Sequence, residues 1–429
     1  MLVILVFAAN ISFAQVQDSK TIKKRYDGKT AVSLSHAQGP ILVKNSPDGK
    51  VYIEATISAK AKDRENLDIV LDHFIIDENS LGNRVELETA FETQVWNSNN
   101  GVTMIKFKDG KKVKGIRDIK LSATLLVPNL KELELSNKYG RIDMEAAMPE
   151  NLEIELYSGK LAVAEACNKL DLNMKYSKAN LSGAGDAKME LFDCEMEIGG
   201  IRSADVSSKY SEIDAGNVAG NLTLTTYDDN WKIGDIKGKL NISDKYSEFE
   251  IETINEADCT FFDADLRAVS VGKFIIDESK YSKIKVGEIG KLEAARSFDD
   301  YFSFNKAGAL LVGDSKYSEY NIVDLANMFS LGQSFDDDVE LEKVAAGFSS
   351  ISMNAKYTEL DFWMADNAEF EMYINMQYGE FDYPEKDLDI KVYKEKDSNL
   401  TIIGYVGDRG KIFHSRVNIT GYDNRVTWH

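Results

Sequence analysis

The chain has 429 residues, is 43% hydrophobic and 10% aromatic, and carries a formal net charge of −20. That much apolar content excludes a chain disordered by composition, and the length allows several domains or one long repeat array. The acidic balance excludes a nucleic-acid binder with a long phosphate footprint.

At the N-terminus, Leu2 to Ala9 form a short apolar run, and Ser12-Phe13-Ala14 fits a small-x-small cleavage site before Gln15. Residues 1–14 therefore read as a secretion signal, although no Lys or Arg precedes the run. The run is too short to span a bilayer, and no other stretch is long and apolar enough for a transmembrane helix. The expected location is exported: periplasm, cell surface or extracellular space.

Residues 15–130 show strand patterns at Val51–Ile57, Arg84–Phe91, Val102–Phe107 and Lys120–Val127 without a regular phrase. They are expected to form wide early rungs that cap a repeat array, because terminal repeats must shield open sheet edges. Within them, residues 102–114 read as a β-hairpin around Asp109-Gly110. It is locally basic, with Lys106, Lys108, Lys111, Lys112, Lys114 and Arg117. Either this is a solvated hairpin protected by its lysines, or it touches an anionic envelope component.

Residues 131–383 carry the repeat. A Lys-Tyr-Ser phrase centres on Tyr176, Tyr210, Tyr246, Tyr281 and Tyr317, with relatives at Tyr139 and Tyr357. From Tyr176 to Tyr357 the spacings are 34, 36, 35, 36 and 40 residues. A second phrase, aromatic then Asp, falls midway at Phe192, Tyr227, Phe262, Phe298 and Phe335, and Tyr157 and Tyr378 extend the series. Aromatics thus recur about once per eighteen residues, and flanking apolar residues alternate with period two, as in strands. The fold class this predicts is all-β, a parallel β-solenoid. The runner-up, an antiparallel meander, would need turn residues that adopt positive φ, which Ser-Glu and Ser-Lys corners do not supply readily.

Parity places these aromatics inward, as a core ladder, with a corner at Ser247-Glu248 in the Tyr246 rung. Apolar positions follow the Tyr of a Lys-Tyr-Ser rung by three and five residues, but follow the aromatic of an Asp rung by four and six, so the Asp corners are expected to be one residue longer. Alternating Lys and Asp beside the ladder would keep like charges apart and set each Lys near an Asp of the next rung, which favours one register. Residues 384–429 are expected to close the far end as a C-terminal cap.

The run Lys120-Leu121-Ser122-Ala123-Thr124-Leu125-Leu126-Val127-Pro128, followed by Leu133-Glu134-Leu135-Ser136-Asn137-Lys138-Tyr139-Gly140-Arg141-Ile142, resembles the bacterial adhesin-like domain of unknown function. The end of the signal is similar to those of Bacteroidetes exported proteins. The resemblance covers most of the mature chain. It implies a right-handed single-stranded β-helix in the cell envelope and brings no catalytic residues with it. The Tyr-Ser-Glu and Phe-Asp-Asp corners depart from the family's commoner Gly-Asp-Val rungs.

No chemistry stands out. His36, His73, His414 and His429 are scattered, and Cys167, Cys194 and Cys259 fit no zinc spacing. The cysteines read as small core residues, with one disulfide among them left open. Asp228-Asp229, Asp299-Asp300 and Asp336-Asp337-Asp338 offer oxygen ligands for calcium, but the glycine-rich calcium-roll repeat is missing. The expectation is a non-enzymatic, adhesin-like scaffold or binding protein without a cofactor, with an envelope or extracellular protein or glycan as partner. Alternatives are a polysaccharide-acting β-helix enzyme, a calcium-binding surface protein and an outer-membrane barrel.

Overall fold

The computed structural model describes residues 15–429 except 92, 100–101, 146–147, 385–387 and 409–411. The signal-like segment 1–14 lies outside the described residues. The fold is a parallel β-solenoid of about 13 turns with rungs of about 18 residues. The chain divides into two units, residues 1–182 and 183–429.

In the first unit, strands Ala31–Gln38 and Ile41–Asn45 make the first parallel rung. Leu133 pairs with Val32 on one side and Leu152 on the other, so alternate apolar residues stack into a column. On the other side of this rung, Arg84–Phe91 stacks parallel on Ala31–Gln38 and Lys112–Val127 parallel on Ile41–Asn45, and antiparallel strands flank these two. Val16–Tyr26 pairs with Val51–Ala61, which pairs with Lys112–Val127, and Phe74–Leu81 pairs with Arg84–Phe91. A helix, Arg64–Asp72, was not foreseen. Asp63 caps it by accepting from the Asn66 backbone N–H, and Leu67, Val70 and Leu71 face the core. The Asp109-Gly110 hairpin is present as read, with strands Val102–Phe107 and Lys112–Val127 paired.

In the second unit one inward column runs Phe249, Leu266, Ile284, Phe302, Tyr320, Val339, Leu360 and Val426. All eight are buried, and Phe302 and Tyr320 stack with centroids 5.0 Å apart. At another corner of the rungs, Gly308 lies over Gly290. A Cβ on Gly308 would sit 2.2 Å from the Gly290 carbonyl oxygen, so only glycine lets the backbones approach there.

The C-terminal segment corrects the expected cap. Strands Arg416–Tyr422 and Arg425–Trp428 form a complete rung inside the stack. Arg416–Tyr422 lies parallel between Ser350–Lys356 and Phe370–Gln377, which precede it in sequence. Strands Asn399–Val406 and Asp389–Lys396 then pair antiparallel beyond Phe370–Gln377. The exposed lysines of Asp389–Lys396 suit a strand with a free edge.

All three cysteines are buried thiols. Burial raises the pKa of the Cys259 thiol, which suppresses the reactive thiolate. The native protein is expected to leave a small thiol reagent unconsumed, whereas the denatured chain titrates all three; rapid reaction of the native protein contradicts this burial.

Candidate functional site: the aromatic corner

The aromatic ladder exists, but it stands outside the core. In the first unit Tyr139, Tyr157 and Tyr176 follow one another edge to face, with centroids 5.8 and 5.4 Å apart. In the second unit the series runs Phe192, Tyr210, Tyr227, Tyr246, Phe262, Tyr281, Phe298, Tyr317, Phe335 and Tyr357, and every step is 5.4–5.6 Å. Tyr422 then stands between Tyr357 and Tyr378, at 5.7 and 5.3 Å. Tyr210 is 47% exposed and Tyr281 46%, against 0% for the core Tyr320. Phe192, Tyr227, Phe262, Phe298 and Phe335 are half-buried.

The inward expectation failed for a local reason. Leu240, Ile242 and Asp244 point inward in alternation, and Tyr246 would follow. Instead Tyr246 takes φ +70, in the left-handed region, which turns the chain one residue early. The ring swings outward and Ser247 becomes the buried residue. Tyr176, Tyr210, Tyr281, Tyr317, Tyr357 and Tyr378 share that conformation, with φ between 54 and 60. In the alternate rungs the left-handed residue is Asp: Asp193, Asp228, Asp263, Asp299 and Asp336. The positive φ that argued against tight corners is thus supplied by Tyr and Asp themselves.

The Asp corners are not longer. Phe298 pairs with Lys280 below and Lys316 above, so Asp299 takes the place of Tyr281 and Tyr317. The aromatic of an Asp rung simply comes one residue before the turn, which explains why its apolar followers lie one residue farther on. Along the stack, Lys alternates with aromatic residues and Tyr with Asp. Like charges stay apart as expected, but the ion pairing does not occur. Among the described residues no corner Lys pairs with a corner Asp, and Lys280 reaches Glu278 at 3.2 Å instead.

Beneath the ridge runs a buried polar seam. Ser211 N donates to Asp229 Oδ1 at 2.7 Å, and Asp229 N donates to Ser247 Oγ at 3.1 Å. Higher up, Ser282 N donates to Asp300 Oδ1, Asp300 N to Ser318 Oγ, and Ser318 N to Asp337 Oδ1. Thr358 N closes the series by donating to Asn424 Oδ1 at 3.1 Å. Rung is thus tied to rung at a corner where water cannot reach the turn amides. Asp300 also accepts from Ser279, Ser297 and the Phe298 N–H, which offsets its desolvation. The same geometry separates the acidic pairs proposed for calcium. Asp228, Asp299 and Asp336 are exposed, whereas Asp229, Asp300 and Asp337 point inward, so the carboxylates of a pair do not converge.

Burial raises these inner carboxyls, Asp229 to about 6. A folded pKa above the unfolded value means that the folded state holds the proton more tightly. Asp229 therefore contributes most below about pH 4, and that contribution is lost as pH rises through 6, on the order of 1–3 kcal/mol. Asp229→Asn should flatten this part of the stability curve, since Asn424 already occupies the equivalent position. An unchanged decline in melting temperature between pH 4 and 7 contradicts the assignment.

The repeat phrase also marks Tyr422, which the spacing series ending at Tyr378 leaves out. Tyr422-Asp423 repeats the Asp phrase, and the buried Val426 and Trp428 fall four and six residues after the ring. The basic residues of the hairpin are gathered on one element of the first unit: Lys108, Lys111, Lys112, Lys114 and Arg117 are exposed and Lys106 is half-buried. His36 is buried, His73 is the C-cap residue of the helix, and His429 stacks on Trp363. Among the described residues no group of three His, Cys, Asp or Glu could hold a metal, and no helix is long and apolar enough to cross a membrane.

No protein-family model matches the sequence, and no curated protein does. Two solved structures are similar in part. One is a provisionally assigned cell adhesion protein from Clostridium sporogenes, at 8% identity and a TM-score of 0.16, covering 96% of this chain and 99% of that one. The other is a provisionally assigned adhesin from Bacteroides fragilis, at 12% identity and a TM-score of 0.20, covering 66% of this chain and 96% of that one. Scores and identities that low lend no weight to a function.

Proposed function

We propose that this chain is an exported, non-enzymatic, adhesin-like scaffold that meets its partner through the aromatic corner. The observation that carries the proposal is the ridge of edge-to-face rings standing outside the core. Soluble monomers rarely expose a long contiguous apolar strip unless it binds something. A left-handed φ at a bulky residue costs on the order of 1 kcal/mol, and Gly or Asn would fit those turns with less strain. Ring–ring contacts of about 0.5–1.5 kcal/mol offset that strain, so the ladder can stabilise the corner and present a surface together.

The ring faces are largely taken by neighbouring edges. Ring edges and tyrosine hydroxyls therefore point to solvent at every second rung, where Lys and Asp flank them. Such a strip suits an extended partner, a glycan or protein segment, that repeats contacts along its length. The polysaccharide-enzyme alternative has no observation in its favour.

The test compares wild type with Tyr210→Ser/Tyr246→Ser/Tyr281→Ser on a glycan array and on whole bacterial cells. Binding by the wild type and its loss in a variant that still unfolds cooperatively are expected. Equal binding by the variant, or release of reducing ends from any glycan, overturns the proposal.

A further inference from the structure

We propose that the Asp109-Gly110 hairpin attaches this protein to an anionic lipid surface, using lysines and exposed apolar side chains that share one face. Strands Thr93–Asn99, Val102–Phe107 and Lys112–Val127 pair in antiparallel order, with Val95 opposite Lys106, Met104 opposite Lys114 and Lys106 opposite Lys112. Alternation sends Thr103, Ile105, Phe107, Val113 and Ile116 into the core. It leaves Val95, Val102, Met104, Lys106, Lys112 and Lys114 on the opposite face.

Two observations combine there. The first is charge. Among the described residues no carboxylate lies within ion-pair distance of Lys106, Lys108, Lys112, Lys114 or Arg117, although the chain has 71 acidic and 51 basic residues. Acids outnumber bases in the chain, yet these five cations stand close together on one hairpin without a carboxylate partner among the described residues. The second is apolar exposure: Val95 is 45% exposed, Val102 38% and Met104 37%. Cations around exposed aliphatic side chains match a bilayer interface, where phosphate groups meet the lysines and the apolar groups leave water. A hydrated polyanion would satisfy the lysines but would leave the valines and the methionine wet.

The hairpin turn is also held in place. Phe107 N donates to Lys111 O at 2.9 Å, Lys111 N donates to Asp109 Oδ1 at 2.9 Å, and His73 stacks on Phe107 at 3.9 Å while its Nε2 lies 3.1 Å from Asp109. Little ordering is then needed on docking. The proposal is independent of the aromatic ridge.

The experiment is co-sedimentation of the full chain with vesicles of phosphatidylglycerol and phosphatidylcholine in equal parts, against vesicles of phosphatidylcholine alone. Binding only to the anionic vesicles is expected. Lys106→Glu/Lys112→Glu/Lys114→Glu should weaken it ~100-fold or more, because each lysine near an anionic surface contributes ~5-fold. Val102→Ser/Met104→Ser should weaken it ~10-fold. Both variants change outward positions and should keep the wild-type melting temperature, which checks their folding. Equal binding to both vesicle types overturns the proposal. So does undiminished vesicle binding by the serine variant combined with competition by dextran sulfate, which would mark a polyanion site.

Discussion

Removing residues 415–429 is expected to unravel the C-terminal end of the solenoid while leaving earlier rungs folded. Arg416–Tyr422 bridges Ser350–Lys356 and Phe370–Gln377, so its loss opens two facing strand edges. It also removes the buried Val417, Ile419, Val426 and Trp428, each worth about 1.5–3 kcal/mol of apolar burial. A gross loss on the order of 6–12 kcal/mol is comparable with the whole stability of a domain. Rungs contact only their neighbours, so the damage should stay local. Limited proteolysis of the truncated protein should trim it back to about Ala365, and a synthetic 415–429 peptide added in trans should restore protection. Wild-type resistance without the peptide would mean that the last rung is not integral.

The second large effect separates two phenylalanines four residues apart. Phe302 is fully buried between Ile284 and Tyr320, whereas Phe298 stands half-buried in the outer ladder between Tyr281 and Tyr317. Phe302→Ala should destabilise the protein by about 3–5 kcal/mol, as truncations in close-packed cores do. Phe298→Ala loses two edge-to-face contacts and partial burial, about 1–2 kcal/mol. Chemical denaturation of the two variants measures the difference. Equal losses would return the ladder to the core.

The solenoid itself was legible because the repeat is self-consistent over many rungs. Alternation around Leu240 and Ile242, or Phe302 and Phe304, identifies strands, and the regular return of the corner phrase identifies rungs. The direction of the ladder was not legible from parity alone. Parity counting assumes extended backbone up to the turn, and it fails when the turn residue is the aromatic itself at positive φ. The offset of followers by three and five against four and six already contained the correct alignment, because it shows that Phe298 and Tyr281 occupy different positions in their rungs. The buried seam was missed for the same reason: once the ring turns outward, Ser282 and Asp300 must turn inward. The helix at Arg64–Asp72 is only nine residues long, and its apolar face is a single i, i+3, i+4 set, Leu67, Val70 and Leu71, behind the Asp63 cap, too brief to stand out among strand patterns. The last rung was obscured because it leaves chain order, and hydrophobic pattern says nothing about which slot of a stack a strand enters.

The most direct test of the outward ladder is thiol labelling of single-cysteine probes in the native protein. The three natural cysteines are buried and form a silent background. Tyr210→Cys, Tyr281→Cys and Tyr317→Cys are expected to react with a maleimide at rates close to those of a free thiol, whereas Phe249→Cys and Phe302→Cys should react only on unfolding. If the three corner positions are as protected as the two core positions, the aromatic ladder lies inside and the account of this solenoid is wrong.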